Sequence, residues 1–104
     1  MSRQFDVHSA IFSTDREAPP LVLNLQSDHL SLLRTVAAAP LWPTAIRQIA
    51  PPASTRIRFE GRDYFLSLSE MAAVRTSSLG PIVGNLSAER YRIVRAIDLL
   101  FTGV

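Results

Sequence analysis

Residues 55–68 read TRIRFEGRDYFLSL, and no other stretch limits so sharply what this chain can fold into. Ile57 and Phe59 alternate with Arg56 and Arg58, the period of two that sends successive side chains to opposite faces of a strand. EGRD then supplies a glycine-containing turn before Tyr64, Phe65, Leu66 and Leu68. The pattern predicts an antiparallel hairpin with an apolar face and an arginine face. Such an arginine face can meet RNA or phosphate, but alternating charge on a strand is usually its solvated side.

The first part of the chain carries the same period. Phe5, Val7 and Ser9 fall on one face and Asp6 and His8 on the other, which reads as a first strand. A polar loop, STDREAPP at 13–20, ends in two prolines that cannot donate to a ladder. LVLNLQ at 21–26 alternates again, with Leu21, Leu23 and Leu25 opposite Val22, Asn24 and Gln26. SDHLS at 27–31 is a turn by composition. LLRTVAAAPL at 32–41 fits a strand or a helix; the strand is preferred because Pro40 and Pro43 close it and its neighbours are strands. TAIRQIA, between Pro43 and Pro51, has room for one helical turn and reads as a linker across the sheet. Residues 69–86, with Gly80, Pro81 and Gly84, suit a short strand and a turn-rich connector.

The period then changes. Ser87 stands where an N-cap belongs, and Glu89 complements the dipole of a helix running from Ala88 to Thr102. Ile93, Val94, Ile97, Leu100 and Phe101 recur at spacings of three and four and predict one apolar face that docks on the sheet. Arg92, Arg95 and Asp98 lie elsewhere, and Leu99 falls on the opposite side, as a lone exposed leucine or a subunit contact. Gly103 has the place of a helix-closing glycine. The expected architecture is one domain, 1–104, mainly β with a C-terminal α-helix.

What the chain lacks excludes much chemistry. It has no cysteine, hence no disulfide, thiolate metal site or cysteine nucleophile. His8 and His29 lack ligand spacing and read as ordinary surface or strand residues; no metal or cofactor is expected. All 11 basic residues are arginine, against 9 acids, so there is neither a Schiff-base lysine nor a phosphate-loop lysine. The excess charge is small and spread out, with no run that suggests a nucleic-acid arm. Asp28 with His29, and Glu60 with Asp63, sit in turns where capping the backbone is role enough. Isolated Gly80, Gly84 and Gly103 point to backbone demands, not to a ligand loop. No catalytic residue is expected. With Asp6 and His8 in the place of a signal peptide's apolar run, and no apolar stretch long enough for a membrane, the expected location is cytoplasmic.

The unusual features lie at the end, AIDLLFTGV at 96–104. Asp98 opposes the helix macrodipole, and Gly103 with Val104 leaves no tail. Small domains often stop after a last helix; the functional alternative is that this helix end is itself a recognition surface.

Four stretches carry a family resemblance: RQFDVH at the start, LNLQSDHL at 23–30, FEGRDYFLSLSEMAAV with the following SSLG, and LSAERYRIVRAIDLLFTGV at the end. With them the chain resembles the CcdB toxins of bacterial toxin-antitoxin modules, collinearly over nearly its whole length. The segments 41–53 and 13–20 carry the resemblance least. It implies an SH3-like small barrel of antiparallel strands with a C-terminal helix, a two-fold homodimer, and a toxin without catalysis. Such a toxin binds the DNA gyrase A subunit and traps the cleaved-DNA complex, and a CcdA-like antitoxin with a disordered C-terminal tail releases it. Carried over residue by residue, the gyrase-binding surface comprises Thr102, Gly103, Val104, Asp98, Ser27, His29 and Leu30, and the dimer interface Leu99, Leu100 and Phe101. Ser27 and Gly103 match the family, Leu30 and Val104 are conservative, and His29 and Asp98 replace an aliphatic and an amide residue. Thr102 departs furthest, because the best-known member has there a tryptophan that inserts between gyrase arginines. Two alternatives follow. One is an endoribonuclease like the MazF toxins, which resemble this family in fold, with Arg56, Arg58 and Arg62 as the clustered candidates. The other is a degenerate homologue that keeps dimer and antitoxin binding without toxicity.

Overall fold

The computed structural model describes residues 2–10 and 21–103; the expected loop at 13–20 and the partner-surface residue Val104 lie outside them. The hairpin forms as its alternation requires. Strand β4 (Ser54–Phe59) pairs with β5 (Arg62–Ser67) from Phe59 opposite Arg62 to Ser54 opposite Ser67. Glu60 and Gly61 take φ of 49° and 77°, the two positive values that a two-residue I′ turn demands.

Five further strands complete an antiparallel sheet: β1 (Asp6–Ala10), β2 (Leu21–Asn24), β3 (Thr35–Pro43), β6 (Ala72–Arg75) and β7 (Leu79–Asn85). Their order is β4-β5-β3-β2-β1-β7, with β6 beside the first half of β3. The strand reading of 32–41 holds, with shifted ends. Residues 31–34 are turn, and β3 runs through Pro40 to Pro43 instead of stopping before them. The register explains why. Ala37 turns its N–H and C=O toward the β2 side, bonding Gln26 and Leu25, so residue 40 faces the other edge. On that edge β6 ends at Ala38 and β5 begins at Leu41, and Pro40 sits in the fork where no ladder bond needs its missing N–H.

The short strand and turn-rich connector expected over 69–86 are instead two strands, β6 and the seven-residue β7, the latter paired with β1. Its register shifts twice against β1, which erases the period-two signal. Gly84 is a matter of space: a Cβ there would lie 2.5 Å from the Phe59 ring. That contact brings the two end strands of the path together, so the sheet curls into the small barrel expected of it. Inside it Val7, Leu23, Leu41, Ile57 and Leu66 are buried together.

On the face opposite Phe5 and Val7, Asp6 and His8 are both buried, so of the two readings of His8, surface or strand residue, the strand one holds. Ser2 folds over this face: its Oγ lies 2.7 Å from His8 Nε2 and accepts from Asn24 Nδ2 at 2.8 Å. His8 Nδ1 donates to the Gly80 carbonyl at 2.8 Å, so the buried ring has both nitrogens satisfied.

The helix α1 (Arg90–Thr102) begins two residues later than expected, after a 3₁₀ turn at Ser87–Glu89. Ser87 gives no side-chain cap; its own N–H donates to Asn85 Oδ1 at 2.7 Å. Asn85 Nδ2 reaches Asp6 Oδ1 at 2.9 Å, which ties the helix entrance to β1. The helix docks chiefly on β4 and on the 3₁₀ turns at 68–70 and 87–89. Only part of the expected apolar face does so: Ile93 is fully buried, and Ala96, Ile97 and Leu100 pack beside it.

Candidate functional site

At the helix end Gly103 adopts φ 71°, a left-handed conformation that costs glycine nothing, and its N–H donates to Leu99 O at 3.1 Å. Thr102 Oγ1 donates to the Asp98 carbonyl at 2.6 Å. This turns the hydroxyl back onto the helix and leaves an exposed methyl in place of an aromatic anchor. Asp98, Thr102 and Gly103 therefore share one exposed helix terminus.

Ser27, His29 and Leu30 come together in a second place. Asp28–Leu30 form a 3₁₀ turn, with Ser27 Oγ accepting from His29 N at 3.2 Å. Gln26 holds the turn to β3: its Nε2 donates to the Leu30 and Thr35 carbonyls at 3.3 and 3.1 Å, and its Oε1 accepts from Ala37 N at 3.2 Å. Asp28 Oδ1 accepts from Gln4 N at 2.8 Å and fixes the other side. The QSD motif is thus a brace, with the glutamine and aspartate holding and the residues between and after them presented. Leu32, expected within a strand, is 92% exposed beside Leu30 and Leu33, so this turn presents an apolar tip. Helix end and turn are two patches, since the turn is tied to the N-terminal segment and β3 while the helix rests on β4.

The three residues expected at a dimer interface point in different directions. Leu100 packs on its own core, while Leu99 and Phe101, two positions apart, emerge on nearly opposite sides, 51% and 69% exposed. Phe101 does not stand alone: Val94 lies about two turns earlier and Tyr91, 77% exposed, about three, in an exposed stripe that also holds Asp98. Sequence reasoning put Val94 and Phe101 on the core side because the apolar arc is wider than the barrel can cover. Tyr91 is not among the residues of the predicted apolar face, and its exposure appears only in the structure.

The arginines of the hairpin do not converge. Arg56 and Arg58 share the outer face and one partner, Asp63, at 3.8 and 3.5 Å, whereas Arg62 lies opposite Phe59 on the other face. On the outer face Trp42 is buried under Arg47, whose guanidinium sits 4.3 Å from the ring centroid, and its Nε1 donates to Glu70 Oε2 at 2.8 Å. Burial pushes the Glu70 carboxyl up, but the Trp42 and Arg47 contacts, with the Ser67 hydroxyl nearby, more than offset this and hold it below the usual carboxylate range. Ser67 Oγ makes no well-formed hydrogen bond, so the firm contacts are those of Trp42 and Arg47. Among the described residues no group of three or more histidines and acids is placed to hold a metal, and no helix is long and apolar enough to cross a membrane.

An antiparallel sheet of seven strands followed by one C-terminal helix, with exposed patches at the helix end and at the 27–30 turn, defines the class of fold. The family model described as CcdB protein matches residues 4–103, and the chain belongs to the CcdB family of toxin-antitoxin toxins. A search of curated proteins finds no match.

Proposed function

We propose that this protein is the toxin of a toxin-antitoxin module, that it binds the A subunit of DNA gyrase and traps the cleaved-DNA complex, and that a CcdA-like antitoxin with a disordered tail releases the target. Family membership over 4–103 carries this reading. The exposed helix end supports it: Gly103 closes the helix in the left-handed conformation beside the exposed Asp98 and Thr102. The contact surface we assign is Asp98, Thr102, Gly103 and Val104, with Ser27, His29 and Leu30 on the second patch. The action is occlusion and trapping, without a catalytic step.

The protein works as a homodimer in this proposal. Phe101 with Tyr91 and Val94 forms an exposed apolar stripe on the helix that we assign to the two-fold contact, with Leu99 on the far side of the helix. Leu100 supports the stripe from beneath.

The test is a supercoiling and cleavage assay with purified gyrase. Full-length protein is expected to accumulate cleaved DNA, and deletion of Gly103 and Val104 to abolish this. Full-length protein that leaves gyrase untouched at high concentration would end the gyrase assignment. One observation favours a second reading, a homologue that keeps its dimer and antitoxin surface without toxicity: the Thr102 hydroxyl is bonded back to Asp98 and anchors nothing outside. The same assay with Thr102→Trp separates the two. Strong gain from a weak start marks a weakened poison, and no gain marks a lost one.

A further inference from the structure

Strand β3 and its short neighbour β6 bring together residues far apart in the sequence. Thr35 at the start of β3 pairs with Arg75 at the end of β6, and the Arg34 carbonyl just outside accepts from Thr76 N at 2.8 Å and from Thr76 Oγ1 at 3.2 Å. Around this junction lies an open recess of about 390 Å³ lined by Arg34, Thr35, Arg75, Thr76 and Ser77. Two guanidinium groups and three hydroxyl residues line it, and among the described residues no acid does. Neither arginine has an ion-pair partner among the described residues, unlike Arg47, Arg56, Arg58 and Arg92.

We propose that this recess is a phosphate-binding site that takes a backbone phosphate of duplex DNA. Guanidinium forks match phosphate oxygens in charge and geometry, and the Thr35 and Ser77 hydroxyls beside them complete a sequence-independent backbone contact, the Thr76 hydroxyl being spent on the Arg34 carbonyl. The position supports this source of phosphate. Thr76 also lines the adjoining pocket with Ser27, Asp28, Ser31 and Leu33, so the recess continues the surface of the 27–30 turn. Asp28, the acid of that adjoining pocket, is engaged with the Gln4 backbone. This inference rests on the gyrase reading only for the source of the DNA: a turn seated on a DNA-holding enzyme would carry the two arginines toward the duplex.

The experiment needs no gyrase, so its failure and that of the gyrase reading are separate events. The ¹⁵N-labelled full chain is titrated with a 12-bp duplex, with a single-stranded RNA of equal length, and with inorganic phosphate. Duplex DNA is expected to shift the amides of Thr35, Arg75, Thr76 and Ser77, and binding should weaken as salt rises. In the Arg34→Gln/Arg75→Gln variant affinity should fall at least about tenfold and the salt slope shrink by roughly one for each phosphate no longer neutralised, with the melting temperature unchanged. DNA shifts elsewhere on the surface, or undiminished in the variant, would overturn the site. A response to inorganic phosphate alone, or a preference for the RNA, would overturn its assignment to duplex DNA.

Discussion

Gly84 and Glu70 show how single side chains decide local structure here. A methyl group at 84 would collide with the Phe59 ring, so Gly84→Ala should destabilise the protein by roughly 1–3 kcal/mol in urea unfolding. Pairing it with Phe59→Leu should recover part of that loss, since the ring is what the methyl group meets. Glu70 has a depressed carboxyl in the folded protein, so its contribution is fully present above the unfolded-state value and disappears as pH falls through the folded one. Glu70→Gln should therefore lower the melting temperature at neutral pH and flatten its decline on acidification. Equal slopes for the two proteins would show that the Trp42 and Arg47 contacts do not favour the carboxylate. Because Glu70 and Arg47 are both partly exposed, added salt should shrink the difference.

At the scale of elements, the helix entrance is the place where an apparent signal and the working one differ. Ser87 looks like an N-cap, but Asn85 accepts the Ser87 N–H and at the same time donates to Asp6 and to the Gln4 carbonyl. Asn85→Ala should cost about 1–2 kcal/mol, in the upper range for removal of a cap, while Ser87→Ala should be close to neutral. Chemical denaturation of the two variants side by side distinguishes them, and a larger loss at Ser87 would restore the simpler reading. The 27–30 turn follows the same logic. Its presented residues, Ser27, His29 and Leu30, rest on Gln26, which spends both ends of its amide on bracing the turn against β3.

For the whole molecule, the barrel covers only part of the helix, and the uncovered stripe of Tyr91, Val94 and Phe101 sets the proposed assembly. Phe101→Asp should convert a dimer to a folded monomer in sedimentation velocity, because the side chain is exposed in the protomer and its loss leaves the core intact. A wild-type chain that sediments as a monomer at micromolar concentration would remove the two-fold arrangement from the proposal. The arginine-lined recess and the 27–30 turn share Thr76 and adjoin on one surface, so the proposed target contact and the proposed DNA contact lie side by side.

Local chemistry decided much of this in advance. The strict alternation and I′ turn of the hairpin, the leucine alternation of β2, the apolar period of α1 and the left-handed close at Gly103 all depend on residues within a few positions of one another, so they are legible along the chain. The residues of both candidate patches, in QSDHL and AIDLLFTGV, came from the family resemblance and not from local chemistry. Tertiary structure decided the rest. Bulged pairing with β1 made a strand of 79–85 against its local composition, and the fork beside β3 gave Pro40 a place inside a ladder. Burial of His8 and Asp6 needed Ser2, Asn24, Gly80 and Asn85 to arrive from distant positions with matching donors and acceptors. Arg34 and Arg75 became neighbours, while Arg62 parted from Arg56 and Arg58, because strand pairing, not distance along the chain, fixes which charges share a surface.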